Sequence, residues 1–479
     1  MNRLLAALAA TALIQCSAVA GQNADGPAGN DLDLSCQGCN VVFLNIDLLR
    51  ADFVGILNGG STYTPNIDAF FKNAIIYHDV SASSGVTAIS NTATLTARHG
   101  EFTYGLLQRT YVDVPPQMPF RHAELYSKTP TIAETLKLNG YKTININHGW
   151  YAGRQMLLDR GIDSYWGSGE VGATDNVPGR VIRQTMGVLK EHAKAPPFFL
   201  LMRSEDLRGL PYRYPIGRPR FEDPRVEYRR LAEENYDIYF QPLYDGSLSV
   251  KFPSSAKINW MSDAQVEEYR QLSYALYRQQ LQFVDEELGH LFGEISGTPL
   301  GENTIVVLYA NHGDGLYDNR VANHGVSYQT CVSVPLLIRH PKIKSQIRIR
   351  EPVALIDLVP SIDEMLSVSP PQDTDGVSLL NIVRGSSSYP NAFFFGTDKE
   401  SKYVRKGQYK LIVWSDRTKE LYDLKDDPRE RKNLATELPM VANELYQRLV
   451  SHEVVQLRRV LGIVGVDKRP IGRAPTGAK

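Results

Sequence analysis

The stretch TIVVLYANHGD, residues 304–314, decides the fold class of this chain. A second stretch, NVVFLNID at residues 40–47, has the same design, because an apolar run again ends in a polar residue. Runs without polar alternation are typical of parallel strands that are buried on both faces. In open α/β sheets, ligands bind outside the carboxyl ends of such strands. The two stretches therefore predict strands that bring Asp47, Asn311 and His312 to one edge of a sheet.

The rest of the chain alternates strand and helix signals. This alternation predicts a mainly parallel sheet with helices on both faces. A boundary at residues 386–390 precedes a C-terminal segment that predicts a small α+β subdomain with a short antiparallel sheet. The predicted helices begin at Pro65, span 131–139 before Gly140, run from Ser262 to about Phe292, and close the chain at 440–455; the predicted strands include 141–147, 197–202, 409–413 and 420–424.

The first 20 residues have the features of an export signal. A basic start is followed by an apolar stretch from Leu4 to Ile14 and by small residues up to Ala20. We expect cleavage after Ala20 and a periplasmic or secreted protein. Lipid attachment at Cys16 is disfavoured, because Gln15 is a poor residue before such a cysteine. No later segment is long and apolar enough to predict a membrane span.

Composition favours a globular chain. Apolar residues make up 43% and charged residues 22% of the 479 positions. The net charge is −1 with both signs mixed, which gives no argument for nucleic acid or an anionic membrane as the partner.

The cysteines predict a single bridge. In an exported protein, Cys36 and Cys39 of the C-x-x-C pattern are expected to form a short-loop disulfide. Half of a zinc site is a rival interpretation, but a second cysteine pair is missing. A thioredoxin-like site should follow a strand, whereas this pattern precedes one. Cys331 is then expected to be unpaired and buried.

Several motifs stand in the same order as in a known family. The chain resembles the sulfatase family of the alkaline phosphatase superfamily over roughly residues 40–455. The resemblance implies an alkaline phosphatase/sulfatase-like fold. The motifs are IDLLRADFVG at 46–55, TPNID at 64–68, TAR at 96–98, NHGD at 311–314, HG at 324–325, VPLLIR at 334–339 and ELYDL at 420–424.

These patterns divide the chain. We predict a signal peptide at 1–20, a flexible leader at 21–39, a sulfatase-like catalytic domain at 40–390, a C-terminal subdomain at 391–455 and a tail at 456–479. Within the catalytic domain, residues 210–257 are dense in Tyr, Arg and Pro without a clear period. A segment of this length predicts a lid or substrate loop.

The resemblance also contains a departure at the nucleophile. Sulfatases carry a C/S-x-P-x-R motif whose first residue becomes formylglycine, and this position falls on Thr87. Threonine cannot become formylglycine, and Ile89 and Asn91 replace the proline and arginine. The loop GVTAIS at 85–90 resembles that of phosphoethanolamine transferases, superfamily members that use threonine. An alternative role for Thr87 is a helix N-cap, for which threonine is well suited.

The resemblance implies a metal site with fewer ligands than in sulfatases. Leu48 and Asn311 stand where sulfatases have aspartates, so Asp47, Thr87, Asn311 and His312 remain as candidate ligands of one divalent metal. One carboxylate and one imidazole suit zinc or manganese better than calcium, which prefers more oxygen anions. The alternative is that two lost ligands mean no metal and no catalysis.

Other site residues also follow from the resemblance. His324 matches the family's histidine near the transferring group and could protonate the leaving group. Arg208 falls where many relatives have histidine, and could bind an anionic oxygen or pair with Glu205. His148 lies near a sulfatase lysine and is a second candidate for substrate binding. Arg50 is expected to support the site.

Together these observations predict a metal-dependent enzyme that hydrolyses or transfers a phosphate or sulfate ester through Thr87. Phosphoryl esters are favoured, because a sulfated threonine lacks the aldehyde route by which formylglycine expels sulfate. The expected substrate is an anionic ester on a small molecule, lipid or glycan head group. Two alternatives stay open: a non-catalytic binding protein of the sulfatase fold, and a sulfuric ester hydrolase that works without formylglycine.

Overall fold

The structure is a computed structural model. It describes residues 32–59, 63–99, 130–147, 159–167, 179–192, 197–209, 214–215, 240–242, 247–250, 258–259, 261–371, 374–385, 389, 393–398 and 400–460. The predicted signal peptide and His148 lie outside these ranges.

The described strands form one large sheet and three small ones. The strands are β1 (Asn40–Ile46), β2 (Ile75–Tyr77), β3 (Val80–Ser81), β4 (Lys142–Asn147), β5 (Ser164–Trp166), β6 (Phe198–Ser204), β7 (Tyr214–Pro215), β8 (Phe240–Pro242), β9 (Ser247–Val250), β10 (Thr304–Tyr309), β11 (Leu336–Arg339), β12 (Ile347–Ile349), β13 (Val353–Ala354), β14 (Phe394–Thr397), β15 (Ser401–Lys406), β16 (Tyr409–Trp414) and β17 (Lys419–Asp423). The large sheet has the order β12-β2-β11-β10-β1-β6-β4-β5. Only β11 runs opposite to the others in this sheet, so the sheet is mainly parallel.

Helices cover this sheet. The α-helices are α1 (Pro65–Phe70), α2 (Thr87–Thr96), α3 (Ile132–Leu138), α4 (Arg180–His192), α5 (Asp206–Gly209), α6 (Asp263–Ser296), α7 (Gln329–Val332), α8 (Leu358–Met365), α9 (Leu380–Val383) and α10 (Pro439–Val460). Ser262 and Gln265 form a capping box at the start of α6, as the sequence predicts. None of the helices in the described ranges is both long and apolar enough to cross a bilayer.

The two central strands have the predicted pairing. β1 pairs in parallel with β10, from Asn40 opposite Thr304 to Asn45 opposite Tyr309. Every residue of both strands is buried. Because the strands end side by side, Asp47 and the segment after Tyr309 leave the sheet at the same edge.

The neighbouring strand β6 brings a charge into this edge. Arg203 pairs with Asn45 of β1 on one side and with Asn147 of β4 on the other. It follows five apolar residues, Phe198–Met202, and its side chain is only 2% exposed. A buried arginine in such a row requires partners, because an unpaired buried charge is strongly unfavourable.

The C-terminal segment forms the predicted subdomain. Strands β14 to β17 make a four-stranded antiparallel sheet in sequence order. Leu411 and Leu421 of this sheet pack against Leu445 and Leu449 of α10. The α/β class with a small antiparallel subdomain is therefore confirmed.

Some predicted boundaries are wrong. The leader was expected to be flexible up to residue 39, but Leu34 is fully buried and Cys36 N donates to Met365 O at 2.6 Å. The expected Cys36–Cys39 disulfide is present, and Cys331 is buried without a disulfide. At the other end, α10 continues to Val460, past the predicted start of the tail.

The predicted lid segment contains regular structure. Strands β7, β9 and β8 pair in an antiparallel sheet within residues 210–257. The remaining residues of that segment lie outside the described ranges. The lid role stays a prediction.

Candidate active site

Thr87 begins helix α2 and is 3% exposed. Val86 is the cap residue, and no side-chain hydrogen bond closes this helix end. The alternative role of Thr87 as the cap is therefore wrong, and its hydroxyl has a different partner. A group at this place lies at the positive end of the helix dipole, which stabilises negative charge.

The partner of the Thr87 hydroxyl is the imidazole of His312. Thr87 Oγ1 lies 2.9 Å from His312 Nε2, and both side chains are buried. The other ring nitrogen, Nδ1, lies 2.8 Å from the carbonyl oxygen of Gly313. A carbonyl only accepts, so in the neutral ring we assign the hydrogen to Nδ1. Nε2 then offers its lone pair to the Thr87 hydroxyl.

Asp47 lies beside this pair and is held by Arg203. Asp47 Oδ1 is 3.5 Å from His312 Nε2. Arg203 Nη2 donates to Asp47 Oδ2 at 2.8 Å, and both side chains are buried. Arg203 Nη1 donates to Glu205 Oε1 at 2.6 Å and to Asn147 Oδ1 at 3.3 Å.

Asn311 completes the group that the sequence places at the sheet edge. Its side chain is fully buried, and within the described residues neither its amide oxygen nor its amide nitrogen has a hydrogen-bond partner. Ser90 of α2 donates to the main-chain oxygen of Asn311 at 2.5 Å. This contact ties the helix that starts at Thr87 to the end of β10.

His324 also reaches the site, as the resemblance implies. Its ring stacks on that of His312 with a centroid distance of 4.8 Å. Its Nδ1 lies 3.5 Å from Asp314 Oδ1, and the side chain is 24% exposed. The exposure gives this histidine an access to solvent that the buried His312 lacks.

The described part of the structure does not include the side chains of the two substrate-binding candidates. Arg208 lies in the short helix α5, but its side chain is not among those described. His148 follows β4 outside the described residues. Glu205, the alternative partner of Arg208, pairs with Arg203.

Arg50 supports the site from the side of the loop after His312. It is 3% exposed and donates through Nη1 to the main-chain oxygens of Asp314 and Gly315 at 3.3 and 3.4 Å. Ion pairs with Asp52 and Asp318 balance its charge. These contacts are consistent with the expected supporting role of Arg50, which stays a prediction.

Asp398 is a positioning residue that sequence reasoning missed. It lies just after β14 and accepts hydrogen bonds at Oδ1 from Gly85 N at 2.6 Å and from Ser84 Oγ at 2.8 Å. Its Oδ2 accepts from Ser327 Oγ at 2.6 Å. The C-terminal subdomain therefore holds the loop that precedes Thr87. Its local sequence has no motif that signals this long-range contact.

Arg203 was missed as well, although the sequence contained a signal. In the run FFLLMRS, residues 198–204, a charged residue interrupts a stretch that reads as a buried strand. Such a position is expected to have a buried partner of opposite charge.

Comparison with known proteins decides the family. The family model described as Sulfatase matches residues 39–368, more than half of the chain. The chain belongs to the sulfatase family. A second model, the C-terminal part of N-sulphoglucosamine sulphohydrolase, matches residues 312–456 of this sulfatase-family protein.

Curated relatives are similar over part of their length. Delta 4,5-hexuronate-2-O-sulfatase of Bacteroides thetaiotaomicron is 31% identical over 186 residues, which cover 35% of this chain and 38% of the relative. Arylsulfatase K of Mus musculus is 27% identical over 206 residues, which cover 40% and 36%. The chain thus spans less than half the length of these two relatives.

A solved structure shows the same fold. The phosphonate monoester hydrolase of Agrobacterium radiobacter aligns with a TM-score of 0.63 at 15% identity, covering 91% of this chain and 100% of that chain. At this identity the likeness concerns the fold alone.

Sulfatase-family enzymes use a divalent metal, and the residues present here fit one poorly. Asp47 is the one carboxylate of the predicted donor set, and its second oxygen is already paired with Arg203. The other donors, Thr87, Asn311 and His312, are neutral. At about 5 Å, a +2 ion and a guanidinium repel by roughly 7 kcal/mol at an effective dielectric constant of 20. This repulsion offsets much of what a single carboxylate contributes.

The predicted donor set contains only two side chains of the types His, Cys, Asp and Glu, namely Asp47 and His312. Across the ranges that the structure describes, no three His, Cys, Asp or Glu side chains form a group that could hold a metal ion.

Proposed function

We propose that this protein hydrolyses or transfers a phosphoryl ester with Thr87 as the nucleophile. The proposal depends on the 2.9 Å contact between Thr87 Oγ1 and His312 Nε2. We assign Nε2 as the acceptor, because Nδ1 lies against the carbonyl oxygen of Gly313. A hydroxyl within hydrogen-bond reach of a base is the geometry of an activated nucleophile.

In the first step, Thr87 Oγ1 bonds to phosphorus and its proton moves to His312 Nε2. Asp47, at 3.5 Å from Nε2, stabilises the imidazolium that forms. The bond from phosphorus to the ester oxygen breaks, and His324 protonates that oxygen. We assign this proton to Nε2 of His324, because Nδ1 lies beside Asp314.

The second step reverses these roles. Water or an alcohol attacks the phosphorylated threonine and gives its proton to His324. The bond from phosphorus to Thr87 Oγ1 breaks, and His312 returns the proton to that oxygen. A water acceptor gives hydrolysis, and an alcohol acceptor gives transfer.

Two uncharged features of the site stabilise the negative charge of the transferring group. Thr87 is the first residue of α2, and the positive end of the helix dipole at this place stabilises negative charge. The buried amide of Asn311 offers a further donor at the same edge of the sheet. One donor of this kind commonly contributes about 10²–10³-fold in rate.

A sulfate ester is the second candidate substrate. Both curated relatives are named as sulfatases, one of them acting on a hexuronate 2-O-sulfate. An anionic glycan ester therefore belongs in every assay. Phosphoryl esters stay preferred in this proposal, because a sulfated Thr87 would lack the aldehyde exit of formylglycine.

The metal hypothesis from the sequence remains the alternative for charge stabilisation. It places one zinc or manganese ion on Asp47, Thr87, Asn311 and His312. In a bound state, such an ion would neutralise charge on the transferring group.

The experiment is a comparison of Thr87→Ala with Thr92→Ala. Thr92 is buried in the same helix, and its hydroxyl donates to the main-chain oxygen of Ala88, so it is a matched control. We expect Thr87→Ala to lower kcat/KM on phosphomonoesters, phosphonate monoesters or phosphodiesters by at least about 10³-fold, since it removes the nucleophile. Thr92→Ala should stay within a few-fold, and Thr87→Ser should keep part of the activity.

Mass spectrometry of the Thr87 peptide after rapid quenching should detect a phosphoryl adduct in wild type. Full activity of Thr87→Ala, or turnover of aryl or glycan sulfates alone, would contradict the mechanism. Absence of turnover on all four ester classes, with measurable anion binding, would favour the non-catalytic alternative.

A further inference from the structure

The position of Arg203 differs from that of an ordinary surface arginine. Its place in β6, between Asn45 and Asn147, fixes the backbone inside the large sheet. Its guanidinium then has partners in several directions: Asp47, Glu205 and Asn147. The cation therefore cannot leave the site without breaking buried contacts.

Arg203 and His312 lie next to different oxygens of the Asp47 carboxylate. One oxygen of Asp47 contacts the guanidinium at 2.8 Å, and the other lies 3.5 Å from His312 Nε2. Asp47 thereby connects a permanent positive charge to the base that receives the Thr87 proton. Arginine keeps this charge at all physiological pH values.

We propose that Arg203 replaces the divalent metal in this site. Its guanidinium is the positive charge that holds Asp47 and attracts the anionic ester. The part of this proposal that concerns the ester rests on the proposed function. The part that concerns metal affinity stands without it.

Metal binding is the first test, and it needs no substrate. Wild type, Arg203→Gln and Arg203→Gln/Asp47→Asn are loaded with zinc or manganese, passed through gel filtration, and examined by elemental analysis and calorimetry. Wild type should retain no stoichiometric metal. Arg203→Gln should bind at least about 10-fold more tightly, because the repulsive charge is gone and Asp47 is released. The double variant should lose that gain.

Arg405→Gln is the matched control. Arg405 is also a buried arginine paired with a carboxylate, Asp79, but this pair does not contact Asp47. Its substitution should leave metal affinity unchanged. If Arg203→Gln does not fold, the metal content of wild type and of Arg203→Lys, which keeps the positive charge, still tests the proposal. One equivalent of metal retained by wild type and lost in Asp47→Asn would overturn the proposal.

Anion binding is the second test. Calorimetry with inorganic phosphate, in the presence of a chelator, compares the folded variants. Arg203→Gln should weaken phosphate binding by about 10-fold or more, and Arg203→Lys should weaken it less. Equal phosphate affinity of wild type and Arg203→Gln would overturn the role toward the ester.

The two proposals fail in different ways. A chelator-treated wild type that binds phosphate but turns over no ester would refute the proposed function and leave Arg203 as the resident cation. Turnover that disappears with chelator and returns with zinc would refute the replacement and leave Thr87 as the nucleophile.

Discussion

Two buried ion pairs lie in different regions of this molecule. Asp47–Arg203 lies at the carboxyl edge of the large sheet, with side chains 0% and 2% exposed. Lys410–Glu430 lies in the C-terminal subdomain, with side chains 0% and 1% exposed. Burial and charge are almost the same in the two pairs, so neither quantity separates a candidate site from a structural contact.

The neighbours of each pair make the difference. Gln329 closes the Lys410–Glu430 pair, because its side-chain oxygen accepts from Lys410 Nζ and its main-chain N–H donates to Glu430. Asp47, in contrast, lies 3.5 Å from a histidine, His312, whose ring contacts the hydroxyl of Thr87. A buried ion pair suggests chemistry only where groups that can donate, accept or attack adjoin it.

Breaking the C-terminal pair should have the largest effect on stability. Lys410→Met leaves Glu430 buried without its cation, and we expect the free energy of unfolding to fall by about 3–5 kcal/mol. Lys410→Met/Glu430→Leu should recover most of this loss, since an apolar pair removes the uncompensated charge. Urea unfolding followed by circular dichroism measures both changes.

Lys406→Met is the control for this experiment. Lys406 pairs with Glu444, and both side chains are about half exposed. Its loss should cost less than about 1 kcal/mol. Equal losses in Lys406→Met and Lys410→Met would show that burial of the pair contributes nothing.

Asp398 connects the two regions, and its removal should affect the rate more than the stability. Asp398→Ala deletes the acceptor that fixes Ser84 and Gly85 before Thr87. We expect kcat to fall by about 10²-fold with KM changed less, because a nucleophile displaced by about 1 Å loses this much. Asp398→Asn retains one acceptor and should recover part of the rate.

Asp416→Ala serves as the comparison for Asp398. Asp416 lies in the same subdomain and accepts from Thr418 in an exposed turn. Its removal should leave kcat unchanged. A normal kcat in Asp398→Ala would mean that the loop keeps its position without the C-terminal subdomain.

Asp363 is a buried carboxyl group for which the described part of the chain provides no ion-pair partner, so its protonation should make stability depend on pH. Neither of its side-chain oxygens has a hydrogen-bond partner within the described residues, and burial raises its pKa to about 7. The pKa of Asp363 is thus higher in the folded protein than its ordinary value of 3.8. The protonated group therefore contributes stability that is fully present below pH 3.8 and is lost as the pH rises through 7. Between pH 5 and pH 8, this group should lower stability by roughly 2 kcal/mol.

Asp363→Asn should remove that part of the pH dependence. The difference in unfolding free energy between variant and wild type should therefore grow from pH 5 to pH 8. Urea unfolding at both pH values measures it. A constant difference would show that Asp363 titrates at its ordinary pKa in the folded protein.

The sequence predicted the fold well where the signal was local. The apolar runs before Asp47 and Asn311 indicated adjacent parallel strands, and the capping residue Ser262 marked the start of the long helix within one residue. The end of that helix was placed at Phe292 but lies at Ser296. Helix ends are set partly by tertiary packing, which local composition does not encode.

The site was only partly predictable, because its contacts are long-range. Motif order placed Thr87, His312 and His324 together, although 225 positions separate the first two. Nothing in that order showed that Arg203 would pair with Asp47. A motif identifies metal ligands by their positions, but it does not show which cation another strand brings next to them.

The contact between Gly85 and Asp398 spans 313 positions, and this separation matters during synthesis. Ribosomes add about 5–20 residues per second, so tens of seconds pass between the appearance of the two residues. During that interval a nascent chain contains Thr87 but lacks the group that fixes its loop. Translation thus delays the positioning of the proposed nucleophile until the C-terminal sheet has been made, and a chain clipped before residue 398 would carry the threonine without the carboxylate that holds its loop.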